Sequence, residues 1–288
     1  VIPADISKNM LAYVCFNTLT ALAQQGSTEA VLAIKEIALN PQTHPNLSYN
    51  AVDIVRRVAI QRQTSEDIQH IVDFILSPEV EAYTKFNPNS FATDLRSVPN
   101  SLIETLLYLY ENGNQDVLAH LLKLMQTTDA SLVSDDAKRK ILEYFYQNIS
   151  QSQEVRDALT QLIPLLKDTV IPADLSKNEL ANTSFNTLTA LAQQGSQEAV
   201  LALKEIALNP QTHPSIRYNA GDAVRRVAAQ RQTPEDIQNF VDFILCPTVD
   251  ASTKFNPRNQ ASDLRRVPSS FIETLLYLYE NGNQDVLA

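Results

Sequence analysis

Leu19-Thr20-Ala21-Leu22-Ala23-Gln24-Gln25-Gly26-Ser27, with the run from Thr28 to Leu39 behind it, decides the fold. In the run from Glu29 to Leu39 the apolar sites are Ala30, Val31, Ile34, Ile37 and Ala38. That i, i+3, i+4, i+7 stripe belongs to a helix buried on one side. Gly26 sits where the preceding helix needs a left-handed residue to close, and Ser27 sits where the next one needs an N-cap. The stretch therefore reads as helix, tight turn, helix.

The same reading returns 87 residues on, where Leu106-Leu107-Tyr108-Leu109-Tyr110-Glu111-Asn112-Gly113-Asn114 aligns with the first stretch and makes Asn114 the N-cap. Ile54, Val55 and Val58 then meet Ile141, Leu142 and Phe145, and Ile68, Val72 and Ile75 meet Val155, Leu159 and Leu162. Apolar sites coincide while polar ones do not, so a core face recurs. Thr233-Pro234-Glu235-Asp236 supplies an N-cap, a first-turn proline and acids at the positive helix end; Thr64-Ser65-Glu66-Asp67 keeps the cap without the proline. Eight helices follow, at about 7–25, 28–39, 46–62, 65–76, 99–112, 115–126, 135–149 and 152–167.

A second, longer period contains the first. Val1-Ile2-Pro3-Ala4-Asp5 recurs as Val170-Ile171-Pro172-Ala173-Asp174, and the match runs to Ala119 and Ala288 with roughly three quarters of positions identical. Residues 1–169 form one copy, and 170–288 a shorter second copy. Four hairpins per copy give about 42 residues each, inside the roughly 40–47 of HEAT and armadillo arrays and well above the roughly 33–34 of ankyrin or tetratricopeptide repeats. The expected fold is all-α: an α-solenoid of antiparallel helix hairpins, continuous through both copies, in which each repeat touches only its neighbours. The pattern is still helical at Ala288, which fits a piece of a longer array or a designed one.

The segment Thr189-Ala190-Leu191-Ala192-Gln193-Gln194-Gly195-Ser196-Gln197-Glu198-Ala199-Val200, then Leu203-Lys204, then Pro214-Ser215-Ile216-Arg217-Tyr218-Asn219-Ala220, resembles the HEAT-like repeat of the phycobilisome-lyase type. In the first copy Asn46-Leu47-Ser48 replaces Ser215-Ile216-Arg217, and the arginine of that pattern is lost. The resemblance covers about 40 residues well and implies the fold more than the function. It occurs in bilin lyases and in adaptor proteins alike.

Composition narrows the function. Of 288 residues 44% are hydrophobic, with 5 glycines, no tryptophan and a formal net charge of −10. An acidic surface repels phosphate backbones, so nucleic acid is not the expected partner. No run approaches the roughly 20 apolar residues of a membrane span. Cys15 and Cys246 face Ser184 and Ser77 in the other copy, so they form no repeated bridge, and a cytoplasmic location is expected. His44, His70, His120 and His213 have no cysteine or carboxylate at ligand spacing, and no phosphate loop or nucleophile triad can be drawn. The expectation is a chain that is not an enzyme and uses no metal or cofactor.

Three groups of side chains stand out. Tyr49, Asp53 and Arg56 share one helical ridge beside Arg57, and Tyr218, Asp222, Arg225 and Arg226 repeat it. The second helix of a HEAT hairpin lines the concave face, so this ridge, with Tyr108, is a contact line for a partner protein or else a brace between repeats. Lys85 and Phe86, with Lys254 and Phe255, lie in long segments between Pro78 and Pro99 and between Pro247 and Pro268, where a short turn is expected. Met10, Tyr13 and Val14 are apolar where the second copy has Glu179, Asn182 and Thr183; Leu11, Phe16, Leu19 and Leu22 stay apolar in both and are expected to mark the buried face. The function expected is a scaffold that binds protein through its concave helices. The alternatives are a bilin lyase or its helper subunit, and a structural or engineered array without ligand.

Overall fold

The computed structural model describes residues 10–40, 42–77, 97–130, 132–173, 178–246, 267–280 and 282. Among them are thirteen helices and no strand. They are α1 (Met10–Gln24), α2 (Thr28–Leu39), α3 (Pro45–Arg62), α4 (Ser65–Ile75), α5 (Ser97–Glu111), α6 (Asp116–Gln126), α7 (Asp135–Asn148), α8 (Gln153–Val170), α9 (Glu179–Gln193), α10 (Gln197–Leu208), α11 (Pro214–Arg231), α12 (Pro234–Leu245) and α13 (Val267–Glu280).

Local chemistry accounts for the ends. Gly26 has φ of 104° and Gly195 of 108°; the Ser27 amide reaches back to the Leu22 carbonyl at 3.0 Å. That six-residue closure is open to glycine because it carries no Cβ. Ser27, Ser152 and Ser196 each accept from an amide in the first turn of the following helix, as do Thr64 and Thr233. Asn114 departs from expectation. Helix α6 begins without a side-chain cap, and the Asn114 side chain instead donates from Nδ2 to the Gln63 carbonyl at 2.9 Å. Gln63 is left-handed, with φ of 55°, and the turn it makes exposes that carbonyl to a donor.

The packing divides at Ile141/Leu142, inside α7. In the first unit consecutive helices pack from α1 to α6, and further contacts join α1 to α3, α3 to α5 and α4 to α6. Helices thus alternate between two layers. The second unit has the same pattern on its own: α8 through α12 pack in succession, with α8 on α10, α10 on α12, α9 on α11 and α11 on α13. Packing and sequence period are out of register. Helix α8 belongs to the first copy by sequence and lies against α9 and α10 of the second.

The cores are apolar, with Phe74, Ile34, Leu47 and Leu106 in one unit and Phe145, Phe240, Phe243 and Leu203 in the other all closed to solvent. Ionic links join alternate helices across each layer. Lys35 of α2 pairs with Asp73 of α4; in the second copy Lys204 of α10 pairs with Asp242 of α12 at 2.6 Å.

Two leucines expected to be buried are open. Leu11 is 73% and Leu22 43% exposed, while Phe16 is buried and Leu19 half-buried. The reason is that α1 packs on α2 and α3 but no described helix covers its other side. The arginine carried by the repeat pattern has a structural role. Arg217 is buried, and its Nε donates to the Ala207 carbonyl at the end of α10, at 3.2 Å. In the first copy Ser48 takes its place, and the Ser48 hydroxyl makes no hydrogen bond. Arg217→Ala is expected to cost about 1–3 kcal/mol, the range for orphaning a buried polar group. Urea unfolding of the full chain measures it.

Candidate functional site

Helix α3 carries Tyr49, Asp53, Arg56 and Arg57 on its polar side because its apolar stripe, through Ile54, Val55 and Val58, is buried. Asp53 organises both arginines. Its carboxylate accepts from Arg56 Nη2 at 2.7 Å and from Arg57 Nε at 3.1 Å. The arginines are therefore braced within their own helix, where the single carboxylate offsets one of their two positive charges.

The α3–α5 packing places a second wall opposite. An open groove of about 280 Å³ is lined by Arg56 and Ile60 from α3 and by Glu104, Thr105 and Tyr108 from α5. Glu104 also receives Lys140 of α7 at 2.8 Å, which closes one edge with an ion pair. Tyr49 and Tyr108 are each close to half exposed. The groove has mixed sign, with one guanidinium, one carboxylate paired to an ammonium, the aliphatic side chain of Ile60, one hydroxyl and one phenol. It is built to accept hydrogen bonds and aromatic contact, and it has no basic stripe for a phosphate backbone.

In the second unit Asp222 accepts from Arg225 Nη2 at 2.8 Å and from Arg226 Nε at 3.2 Å. Arg225 Nη1 goes on to donate to Thr274 Oγ1 of α13 at 3.2 Å, so here the ridge also ties two helices together. Tyr277 takes the place of Tyr108 and is about half exposed. Tyr218 is half-buried, and burial raises its hydroxyl pKa above the ordinary value, with Asp222 adding to the shift.

The structure thus brings Arg56 and Tyr108 into one groove, whereas Tyr49, Asp53 and Arg57 share the helix of Arg56 but are not part of its lining. Ile60, Glu104, Thr105 and Lys140 complete it and were not singled out from sequence; neither were Thr274 and Tyr277. Only the adjacency of α3 and α5 selects them, and neither repeat period states which helices touch. Met10, Tyr13 and Val14 lie on the open side of α1. Lys85, Phe86, Lys254 and Phe255 lie outside the described residues.

Other titratable groups fall into structural settings. His213 caps α11, its Nδ1 accepting from the Ser215 amide. His70 of α4 is buried beside Lys35, with Nδ1 3.2 Å from the Lys35 ammonium and Nε2 without a hydrogen bond. Burial holds its pKa below the ordinary value of 6.5, and the Lys35 charge adds to that; Glu66, Asp73 and Asp67 oppose it. An unfolded chain takes up that proton first. Stability from neutral His70 is present above pH about 6.5 and is lost as pH falls below that value toward the depressed one. The second copy has Asn239 here, with Lys204 donating to it at 3.3 Å. His70→Asn is expected to flatten the fall in stability as pH drops below about 6.5, seen as a smaller shift of the urea midpoint than in the parent chain.

Among the described residues no three His, Cys, Asp or Glu side chains cluster as metal ligands, and no helix is long and apolar enough to cross a membrane. Compared with family models, curated proteins and solved structures, the chain finds no match.

Proposed function

We propose that the chain is an α-solenoid of HEAT type and works as a non-catalytic scaffold, binding a protein partner along the layer that contains α3 and α5. The solenoid reading is supported by two features: among the described residues the helix pairs that pack most closely are one or two places apart within each unit, and the hairpin period is about 42 residues.

The observation that carries the binding reading is the α3–α5 groove, where Arg56 and Tyr108 converge on an open apolar floor. Tyrosine and arginine dominate binding energy at protein interfaces because each combines a large contact area with directional polar groups. The single helix carrying Tyr49, Asp53 and Arg56 presents a ready-made row for a partner segment, and the ion pairs on its rim set register more than affinity.

The test is quantitative affinity capture from the native cell with the full chain and with a Tyr108→Ala, Arg56→Ala double variant. A partner of this groove is recovered at least about tenfold less by the variant, the loss expected from removing two anchors. Circular dichroism first establishes that the variant keeps its helix content. Unchanged recovery of every captured protein removes the groove from consideration.

A further inference from the structure

The face of α9 that lies under α8 has a counterpart on α1 that no described helix covers. In the second copy Leu180 and Leu191 are 8% and 1% exposed; their equivalents Leu11 and Leu22 are 73% and 43% exposed. Between them, Ser184 and Thr187 are fully buried, whereas Cys15 and Thr18 at the same places are exposed. These sites fall at i, i+4, i+7 and i+11, a single stripe along one helix face.

Helix α2 shows the same contrast with α10. Ala202 and Ile206 are buried, and Ala33 and Ile37 are partly open. Glu205 takes Lys167 of α8 at 2.5 Å, while its equivalent Glu36 is exposed and makes no ion pair among the described residues. Exposed apolar residues scattered singly need no explanation. A continuous stripe is different when it is aligned with an unpaired acid and matched site for site by a covered surface in the same chain.

We propose that the α1–α2 face of the first copy is a docking face for a helix of the α8 type, supplied by another 169-residue copy standing before it in the array. The occupant is specified by chemistry on both sides. It carries the apolar stripe that α8 buries, through Val155, Leu159, Leu162 and Leu166, and a lysine at the place of Lys167 to meet Glu36. Met10, Tyr13 and Val14 flank the stripe where α9 has Glu179, Asn182 and Thr183, so the open face is more apolar than the one already filled. The inference concerns array extension and is independent of what the α3–α5 groove binds.

Cys15 is the reporter, since its equivalent Ser184 is fully enclosed. Fusing a second copy of residues 135–169 directly before Val1 recreates the Thr169–Val170 junction and offers α1 and α2 the helix that α9 and α10 already have. With Cys246→Ser as background (serine is the first copy's residue there), Cys15 in the extended chain is expected to react with a thiol reagent at least about tenfold more slowly than in the parent. A fused segment carrying Leu159→Asp and Leu162→Asp restores the parent rate. Full reactivity of Cys15 in the extended chain overturns the proposal. Protection already present in the parent and released by dilution assigns the face to a second molecule of this chain, and also overturns it. In the parent chain, Leu22→Gln is expected to leave the melting temperature nearly unchanged while Leu191→Gln lowers it by roughly 5–10 °C. Equal losses would mean that the α1 face is already covered, against the proposal.

Discussion

Asp236→Ala is expected to destabilise the chain by about 3–5 kcal/mol, the range for breaking a buried ion pair from one side. Asp236 is completely enclosed at the start of α12. Its carboxylate accepts from Thr233 Oγ1 at 2.5 Å, from Gln197 Nε2 at 3.2 Å and from Arg231 Nε at 3.3 Å. Its own amide donates to Thr233 Oγ1, which makes the cap reciprocal. Arg231 also reaches the Ala192 carbonyl at the end of α9, so one carboxylate fixes the α11–α12 corner and the beginning of α10. Alanine would keep the backbone half of the cap but remove the carboxylate half, and leave the mostly buried guanidinium of Arg231 without its counter-charge. Asp236→Asn keeps an acceptor for the threonine and should cost less. Asp67→Ala in the first copy is the internal comparison. Asp67 holds Thr64 and Arg62 in the same way, but Thr28 stands where Gln197 does, so Asp67 has one fewer partner. Its loss is expected to be about 1 kcal/mol smaller, roughly the worth of one hydrogen bond. Urea unfolding of the three variants checks the order, and a harmless Asp236→Ala would show that this corner does not hold the fold.

The helices were legible because helix period and end chemistry are local properties. The apolar stripe of α2, the left-handed Gly26 and the threonine caps at Thr64 and Thr233 follow from residues within a turn of each other. Expected and observed helix bounds differ by three residues or fewer. What failed depends on distant neighbours. Leu11 and Leu22 have the sequence of a buried face, but burial also requires another helix to arrive. The pattern says that a face wants cover and not whether cover is there. Asn114 has cap chemistry, yet its side chain is oriented by donating Nδ2–H to a carbonyl 51 residues away, and its oxygen makes no cap bond. The candidate site divides along the same line. Asp53, Arg56 and Arg57 were readable as one ridge because i+3 and i+4 spacings are fixed by the helix. Ile60, Glu104, Thr105 and Lys140 entered only when α3, α5 and α7 were brought together. The division of packing inside α7, away from the 169-residue boundary, was invisible for a related reason: repeat identity records ancestry or design, while α8 goes wherever its apolar face finds a partner.

Gly221→Val places in the second copy the residue that the first has at Val52, and it is nevertheless expected to cost about 1–3 kcal/mol through overpacking. An added Cβ at Gly221 would overlap the Phe243 ring, with Cε1 at 2.5 Å and Cζ nearer still. Phe243 is fully buried, so it has little room to retreat. The first copy accommodates Val52 beside Phe74, the equivalent phenylalanine, because its core is filled differently. Ile71 there becomes Phe240 in the second copy, and Ile54 becomes Ala223. Large and small residues have been exchanged between facing helices: α11 has given up volume at Gly221 and Ala223, and α12 has gained it at Phe240. Phe240→Ile in the Gly221→Val background is therefore expected to let the Phe243 ring move into released space and recover part of the loss. Phe240→Ile alone costs stability by leaving a void. A double-mutant cycle in urea therefore gives a coupling of opposite sign to the single losses. Additive losses would mean that the two substitutions are independent and that the glycine is there for another reason.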